Sequence, residues 1–209
     1  MPLFYQQDIN ETTRLGIWKI EEPEAFFLQS VPLQNAITHP HKRLQHLAGR
    51  FLLPFLFADF PHAEIEIADT RKPFLPEEQY HFSISHCGNY AAAIVSSTYR
   101  VGIDIEMITP RVERIKEKFL HPGELAFVHS QDQQIPLLTL LWSAKEAMFK
   151  WWGNGDVDFS NVLRVGEFAF AATGVIPSFF VKDDVNIPLD INYEMRDEIS
   201  LAWIVSNAE

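Results

Sequence analysis

Apolar positions along the chain fall into helical and strand spacings that alternate with one another. Leu44, Leu47, Ala48 and Phe51 recur at helical spacing, which predicts a helix from about Pro40 into the 51–57 region with one buried stripe. A second helix is expected to open with Thr109 as N-cap and Pro110 at its first position, carrying Val112, Ile115 and Phe119 on its apolar side. His121-Pro122 breaks that pattern, and Glu124 to Val128 reads as a further short helical stretch. The last helix is expected from near Pro136 to Trp152, stopped by Gly153-Asn154-Gly155. Strand patterns stand between these helices: 81–85 alternates, 90–96 is a short apolar run, and 101–107 alternates again. Beyond Gly155 strands are expected at 162–165, 168–171, 179–181, 187–193 and 200–206.

One segment echoes another. Ala92-Ala93-Ile94-Val95-Ser96 recurs as Ala202-Trp203-Ile204-Val205-Ser206, each copy after a helix-rich stretch. The pattern predicts an α+β fold of two similar lobes, residues 1–100 and 101–209, with no linker of low complexity between them. Composition narrows the class further. Hydrophobic residues make up 47% and charged residues 22%, as in a soluble globular chain. Seventeen Lys and Arg stand against 28 Asp and Glu, so the net charge of −11 argues against whole-surface attraction to nucleic acid or anionic membrane. The single cysteine, Cys87, excludes an intramolecular disulfide and a zinc site of several thiolates. The apolar run from Phe51 to Ala58 contains Pro54 and is too short to span a bilayer. No basic-then-apolar start marks a secretory signal, so a cytoplasmic location is expected.

Four clusters carry candidate chemistry. From Ala25 to Ala58 there is no acid, while Lys42, Arg43, Arg50, His39, His41 and His46 all fall there. Arg43, His46 and Arg50 share one helix face, which is either a solvated face or a seat for phosphate. In Gly102-Ile103-Asp104-Ile105-Glu106 the two carboxylates alternate onto one strand face. Such a pair suits either an exposed strand or hard-oxygen coordination of Mg²⁺. Trp142, Glu146 and Lys150 form one stripe on the last helix, either a surface ion pair or a half-buried functional one. Lys72-Pro73 and Ser85-His86 offer phosphate contacts, since no Gly-x-Ser-x-Gly elbow surrounds Ser85. Cys87 reads as a small buried residue.

Taken in order, these pieces resemble the 4′-phosphopantetheinyl transferase superfamily. The resemblance rests on Gly49-Arg50, Arg71-Lys72-Pro73, Ser85-His86-Cys87, Gly102 to Glu106, Phe119-Leu120-His121-Pro122-Gly123-Glu124 and Trp142 to Lys150. Two positions depart from the family pattern: Arg71 stands for a glycine and Cys87 for a hydroxyl residue. The resemblance implies the longer, single-chain type, a pseudo-dimer of two lobes with the active site between them, acting as a monomer. It implies transfer of the 4′-phosphopantetheine group from coenzyme A to a serine of an acyl or peptidyl carrier protein, releasing 3′,5′-ADP. Asp104, Glu106 and Glu146 would hold Mg²⁺, with Glu146 also a candidate base and Lys150 facing the phosphates. Arg50, Lys72, Ser85, His86 and, more weakly, Arg43 would hold coenzyme A. Carrier docking is expected near Arg111, Arg114, Lys116 and Lys118, with Val112 and Phe119 as apolar contacts. A Mg²⁺-dependent hydrolase of coenzyme A, or an inactive carrier-binding scaffold, would share much of this pattern.

Overall fold

A long helix laid across an antiparallel sheet builds the first half of the chain. The computed structural model describes residues 3–32 and 37–207. The chain divides into two compact units, Met1–Val101 with Asn207–Glu209, and Gly102–Ser206. In the first, β1 (Leu3–Asn10), β2 (Thr13–Lys19), β5 (His81–Cys87) and β6 (Tyr90–Ser96) form an antiparallel sheet in the order β1-β2-β6-β5. The short helix α1 (Glu24–Phe27) and the long α2 (Pro40–Leu56) precede a small ribbon of β3 (Glu66–Ile67) and β4 (Pro73–Phe74). Leu47, Ala48, Leu52 and Leu53 of α2 bury against Trp18, Phe82, Ala91, Ala93 and Val95 of the sheet. Gly49 permits that closeness, because a Cβ there would lie 2.5 Å from Cγ2 of Ile84.

The second unit sets another helix on another sheet. Strand β7 (Tyr99–Met107) crosses the unit boundary and heads the order β7-β11-β10-β9-β8. The others are β8 (Leu163–Val165), β9 (Thr173–Lys182), β10 (Val185–Arg196) and β11 (Ile199–Asn207). Helices α3 (Lys116–Phe119) and α4 (Pro122–His129) lead to α5 (Gln134–Trp152). One side of α5 buries Leu140, Ala144, Met148 and Trp151 against Ile176, Phe180, Ile191 and Ile204. Another buries Leu137, Leu138 and Leu141 against Val112, Phe119, Leu120 and Val128. Gly153, at φ 74°, ends α5 in the left-handed conformation that glycine adopts without strain.

The architecture is mixed α+β, and the two Ala-x-Ile-Val-Ser segments fall on β6 and β11, each an inner strand of its sheet. Three expectations need correction. The helix expected from Thr109 is a 3₁₀ turn (Pro110–Arg114) followed by the single turn α3, and Thr109 makes no side-chain cap. Ile115, at ψ −1°, interrupts the two. The segment 168–171 is not a strand: the Tyr193 hydroxyl accepts from the Ala171 N–H at 3.0 Å, so a side chain serves a backbone donor that a strand would pair. Val112 and Phe119 belong to the core, at 8% and 1% exposure, and offer no apolar docking contact.

Gly102 fixes how closely β7 lies on α5. A Cβ there would stand 2.2 Å from the Ala147 carbonyl oxygen, a backbone atom that cannot step aside. Gly102→Ala is therefore expected to lower stability by about 2 kcal/mol or more in urea unfolding, the cost of overpacking. An unchanged midpoint would show that β7 and α5 can separate without penalty.

Candidate functional site

Strand alternation sends Ile103 and Ile105 into the core at 0% exposure, and it turns Asp104 and Glu106 the other way. That second face is not open water. Asp104 is 2% exposed and Glu106 half-buried. The Trp142–Glu146–Lys150 stripe of α5 supplies their partners: Lys150 Nζ donates to Asp104 Oδ1 at 2.6 Å, and Trp142 Nε1 donates to Glu106 Oε1 at 3.2 Å. The surface Glu146–Lys150 pair that the spacing allowed is thus replaced by a cross-element pair between Lys150 and Asp104.

Electrostatics sets these carboxyls apart. Glu106 is pushed up to about 7, first by burial and then by the charge of Asp104. Glu146 is also pushed up to about 7, by burial, then by Asp104 and more weakly by Glu106, with Lys150 opposing. Among the described residues no group of three His, Cys, Asp or Glu side chains is already gathered as a metal cage. The donor set nevertheless fits a hard divalent cation: the oxygens of Asp104, Glu106 and Glu146, the last two raised by burial and by the charge of Asp104, with the Lys150 ammonium beside Asp104.

The expected phosphate residues lie in the first unit and do not all converge. Arg50 is 4% exposed, and its Nη1 is buried with no hydrogen-bond partner among the described residues. A solvated face for Arg50 is thereby excluded. His86 is exposed on the same side of β5 as Phe82 and Ile84, the side that meets α2. Ser85 alternates to the opposite side and is buried. Arg43 is engaged elsewhere, held by Glu24 Oε2 at 2.7 Å from Nη2 and 2.8 Å from Nε. Lys72 is pushed down to about 8, by burial first and then by the charge of Arg100. Arg100 stands in no sequence motif, and only the folded chain brings it within reach of Lys72.

Both departures from the family pattern have structural answers. Arg71 takes φ 67°, the left-handed conformation that the family's glycine would adopt, while Arg71 N–H donates to the Ala68 carbonyl at 2.8 Å. The turn keeps its shape at the cost of strain. Cys87 is buried. Of the expected docking cations, Arg111, Arg114 and Lys118 are exposed and Lys116 is half-buried.

The raised carboxyls give a stability signature. Their folded values near 7 lie above the ordinary carboxylate value of 4.5, so the native state holds more protons between the two. This contribution is fully present below about pH 4.5 and is lost as pH rises through about 7. In chelator, the melting temperature of the chain is therefore expected to fall between pH 5 and pH 8. The double change Glu106→Gln/Glu146→Gln should flatten that fall. An equal fall in the double variant would place its origin in other groups.

Comparison with known proteins locates the likeness. Residues 100–192 match the family model of the 4′-phosphopantetheinyl transferase superfamily. The 4′-phosphopantetheinyl transferase AcpT of Escherichia coli K12 is 35% identical over 114 residues, 52% of this chain and 57% of that protein. Enterobactin synthase component D of the same strain is 34% identical over 113 residues, 52% of this chain and 54% of its own length. The chain thus spans about half the length of these curated relatives. Among solved structures, holo-[acyl-carrier-protein] synthase of Thermotoga maritima aligns with a TM-score of 0.43 at 19% identity, covering 53% of this chain and 65% of that one. The family match takes in Asp104 and Glu106 of β7, all of α5 with Glu146 and Lys150, β8, β9 and most of β10, and stops before β11. This chain resembles the 4′-phosphopantetheinyl transferase superfamily, and its acidic cluster falls within the matched residues.

Proposed function

We propose that the chain transfers the 4′-phosphopantetheine group of coenzyme A to a serine of an acyl or peptidyl carrier protein, in the cytoplasm and with Mg²⁺. The observation that carries this reading is the cluster of buried Asp104 with half-buried Glu106 and Glu146 on β7 and α5, with Lys150 set against Asp104. The family match over the same residues supports it. No helix among the described residues is long and apolar enough to cross a membrane.

In the reaction the serine oxygen forms a bond to the pantetheine-side phosphorus of the pyrophosphate. The bond from that phosphorus to the bridging oxygen breaks, and 3′,5′-ADP leaves. Such a transfer needs positioning and charge neutralisation more than covalent help. Asp104, Glu106 and Glu146 would hold the magnesium, whose charge offsets that of the pyrophosphate when bound. Glu146 would also take the serine proton, directly or through water. Lys150 brings a positive charge to the same face, to meet the phosphate oxygens. Arg50, Lys72 and His86 bring positive and hydrogen-bonding groups for the donor's phosphates. The exposed Arg111, Arg114 and Lys118 suit an acidic carrier despite the overall charge of −11.

The test is single-turnover transfer to an apo-carrier, followed by intact mass. A gain of one phosphopantetheine group is expected from coenzyme A with Mg²⁺, and none in chelator. Glu146→Gln should slow transfer by ~10²–10⁴-fold, the usual contribution of a positioned base. Phosphopantetheine released to water with no gain in carrier mass would make the chain a hydrolase. Wild-type rates in Glu146→Gln would return the stripe to ordinary helix surface.

A further inference from the structure

Three basic side chains of the first unit meet where the β3-β4 ribbon joins the sheet. Lys72 stands just before β4, which packs beside β5, and its carbonyl accepts from the Ala68 N–H at 2.9 Å to close the turn. His81 opens β5 opposite Ser96, the last residue of β6. The chain turns tightly after Ser96, whose hydroxyl accepts the N–H groups of Thr98 and Tyr99 at 3.2 and 2.9 Å. Arg100 follows at once, at the same end of the sheet. Arg100 acts on Lys72, and both act on His81. The acid of this neighbourhood, Glu78, is exposed, and it opposes the lowering of His81 and Arg100 but not that of Lys72. The Lys72 amine makes neither an ion pair nor a hydrogen bond among the described residues. Half-buried among like charges, it is pushed down to about 8, first by burial and then by Arg100. At neutral pH it holds far more of the free, nucleophilic form than an ordinary lysine.

We propose that Lys72 is a carbon dioxide site, its amine converted to a carbamate that the guanidinium of Arg100 and the imidazole of His81 hold. The amine lone pair forms the C–N bond while one C=O pair of carbon dioxide passes to oxygen. The nitrogen then gives one proton to water, and nothing is oxidised or reduced. From ammonium to carbamate the charge at this position goes from positive to negative. The neighbours that repel the ammonium therefore attract the product. A carbamate is a planar carboxylate, to which a guanidinium fork is matched, and an imidazole N–H adds a further donor. The site needs nothing from the reaction proposed above. One consequence does rest on that reading: the carbamate replaces a cation facing the donor's phosphates with an anion, so carbon dioxide weakens coenzyme A binding.

Carbon-13 NMR of the whole chain, equilibrated with labelled bicarbonate near pH 8, tests the site. A carbamate carbon signal is expected, separate from those of carbon dioxide and bicarbonate. Lys72→Arg keeps the charge but cannot form a stable carbamate, and should lose the signal. Arg100→Gln should weaken it about tenfold, the loss of hydrogen bonds to a charged group. The signal should fade between pH 8 and pH 6 as the amine takes up its proton, with Arg100, Glu78 and His81 the charged or titratable groups around it. Where Lys72→Arg fails to fold, alkylating the carbamate of the wild type with triethyloxonium and weighing its peptides should find the ethyl ester on Lys72. An undiminished signal in Lys72→Arg, a trapped label only on other amines, or no signal at all would overturn the site. Calorimetry of coenzyme A with and without carbon dioxide reads the consequence separately. Equal affinities beside a Lys72 carbamate would keep the site and overturn the place of Lys72 in donor binding instead.

Discussion

The second unit depends on a lysine that no water reaches. Lys145 is 0% exposed, and its ammonium donates to Glu124 Oε2 at 2.6 Å, to the Phe119 carbonyl at 2.7 Å and to the Phe159 carbonyl at 2.9 Å. All three of its donors are used. Glu124 is as fully engaged, since its two oxygens also accept the backbone N–H groups of His121 and Val165. Burying an ion pair is costly, and it is tolerated where each lone pair and each proton finds a partner. Burial still pushes Lys145 down to about 8, with Glu124 opposing, so it remains a cation at neutral pH. Loss of either partner would strand the other charge inside.

What that pair organises reaches the candidate site through one ring. The two residues whose carbonyls meet Lys145 also hold Trp142: Phe159 stacks on its ring at 5.6 Å, and Phe119 meets it edge-on at 5.1 Å. Trp142 in turn donates its indole N–H to Glu106. The backbone of two segments is thus pinned by a lysine, their side chains clamp a tryptophan, and the tryptophan orients a carboxylate. From the other side, Gly102 brings β7 against the backbone of α5. Between these constraints the carboxylates have little room to separate. Burial there, and then the charge of Asp104, raises the proton affinity of Glu106 and Glu146.

Much of this was visible in the spacing of residues, and what was not has identifiable causes. The run 90–96, the alternation at 101–107 and the glycine stop after Trp152 are local signals, and β6, β7 and α5 follow them. The hairpin of β1 and β2 went unread because β2 is buried on nearly every residue and β1 carries Gln6, Gln7 and Asp8, so neither alternates cleanly. Glu146 and Lys150 could be set on one stripe by counting. Their cross-element contacts, and the choice of Asp104 over Glu146 as the ion-pair partner of Lys150, needed β7 in place. Lys145 sits within the same stretch, yet counting cannot tell which lysine is enclosed. Adjacency does not tell that strand alternation turns Ser85 and His86 to opposite sides of β5. It is silent at His62, which reaches Arg50 only through a packed turn.

The two units carry opposite electrostatic problems. In the first, Arg50, His46, His62 and His86 crowd positive or protonatable groups together, and Lys72 and Arg100 add a second such pair. In the second, buried Asp104 and half-buried Glu106 and Glu146 stand together with the ammonium of Lys150. Folding alone leaves both imbalances standing, and they cost stability that the hydrophobic cores must offset. Each imbalance has a simple remedy of its own, an anion for one and a cation for the other. A chain selected only for stability would replace Arg50 or Glu146 with apolar residues, as buried unpaired charges are readily improved upon. That such charges are kept in both units is the physical argument for reading each, by itself, as serving something other than the stability of the fold.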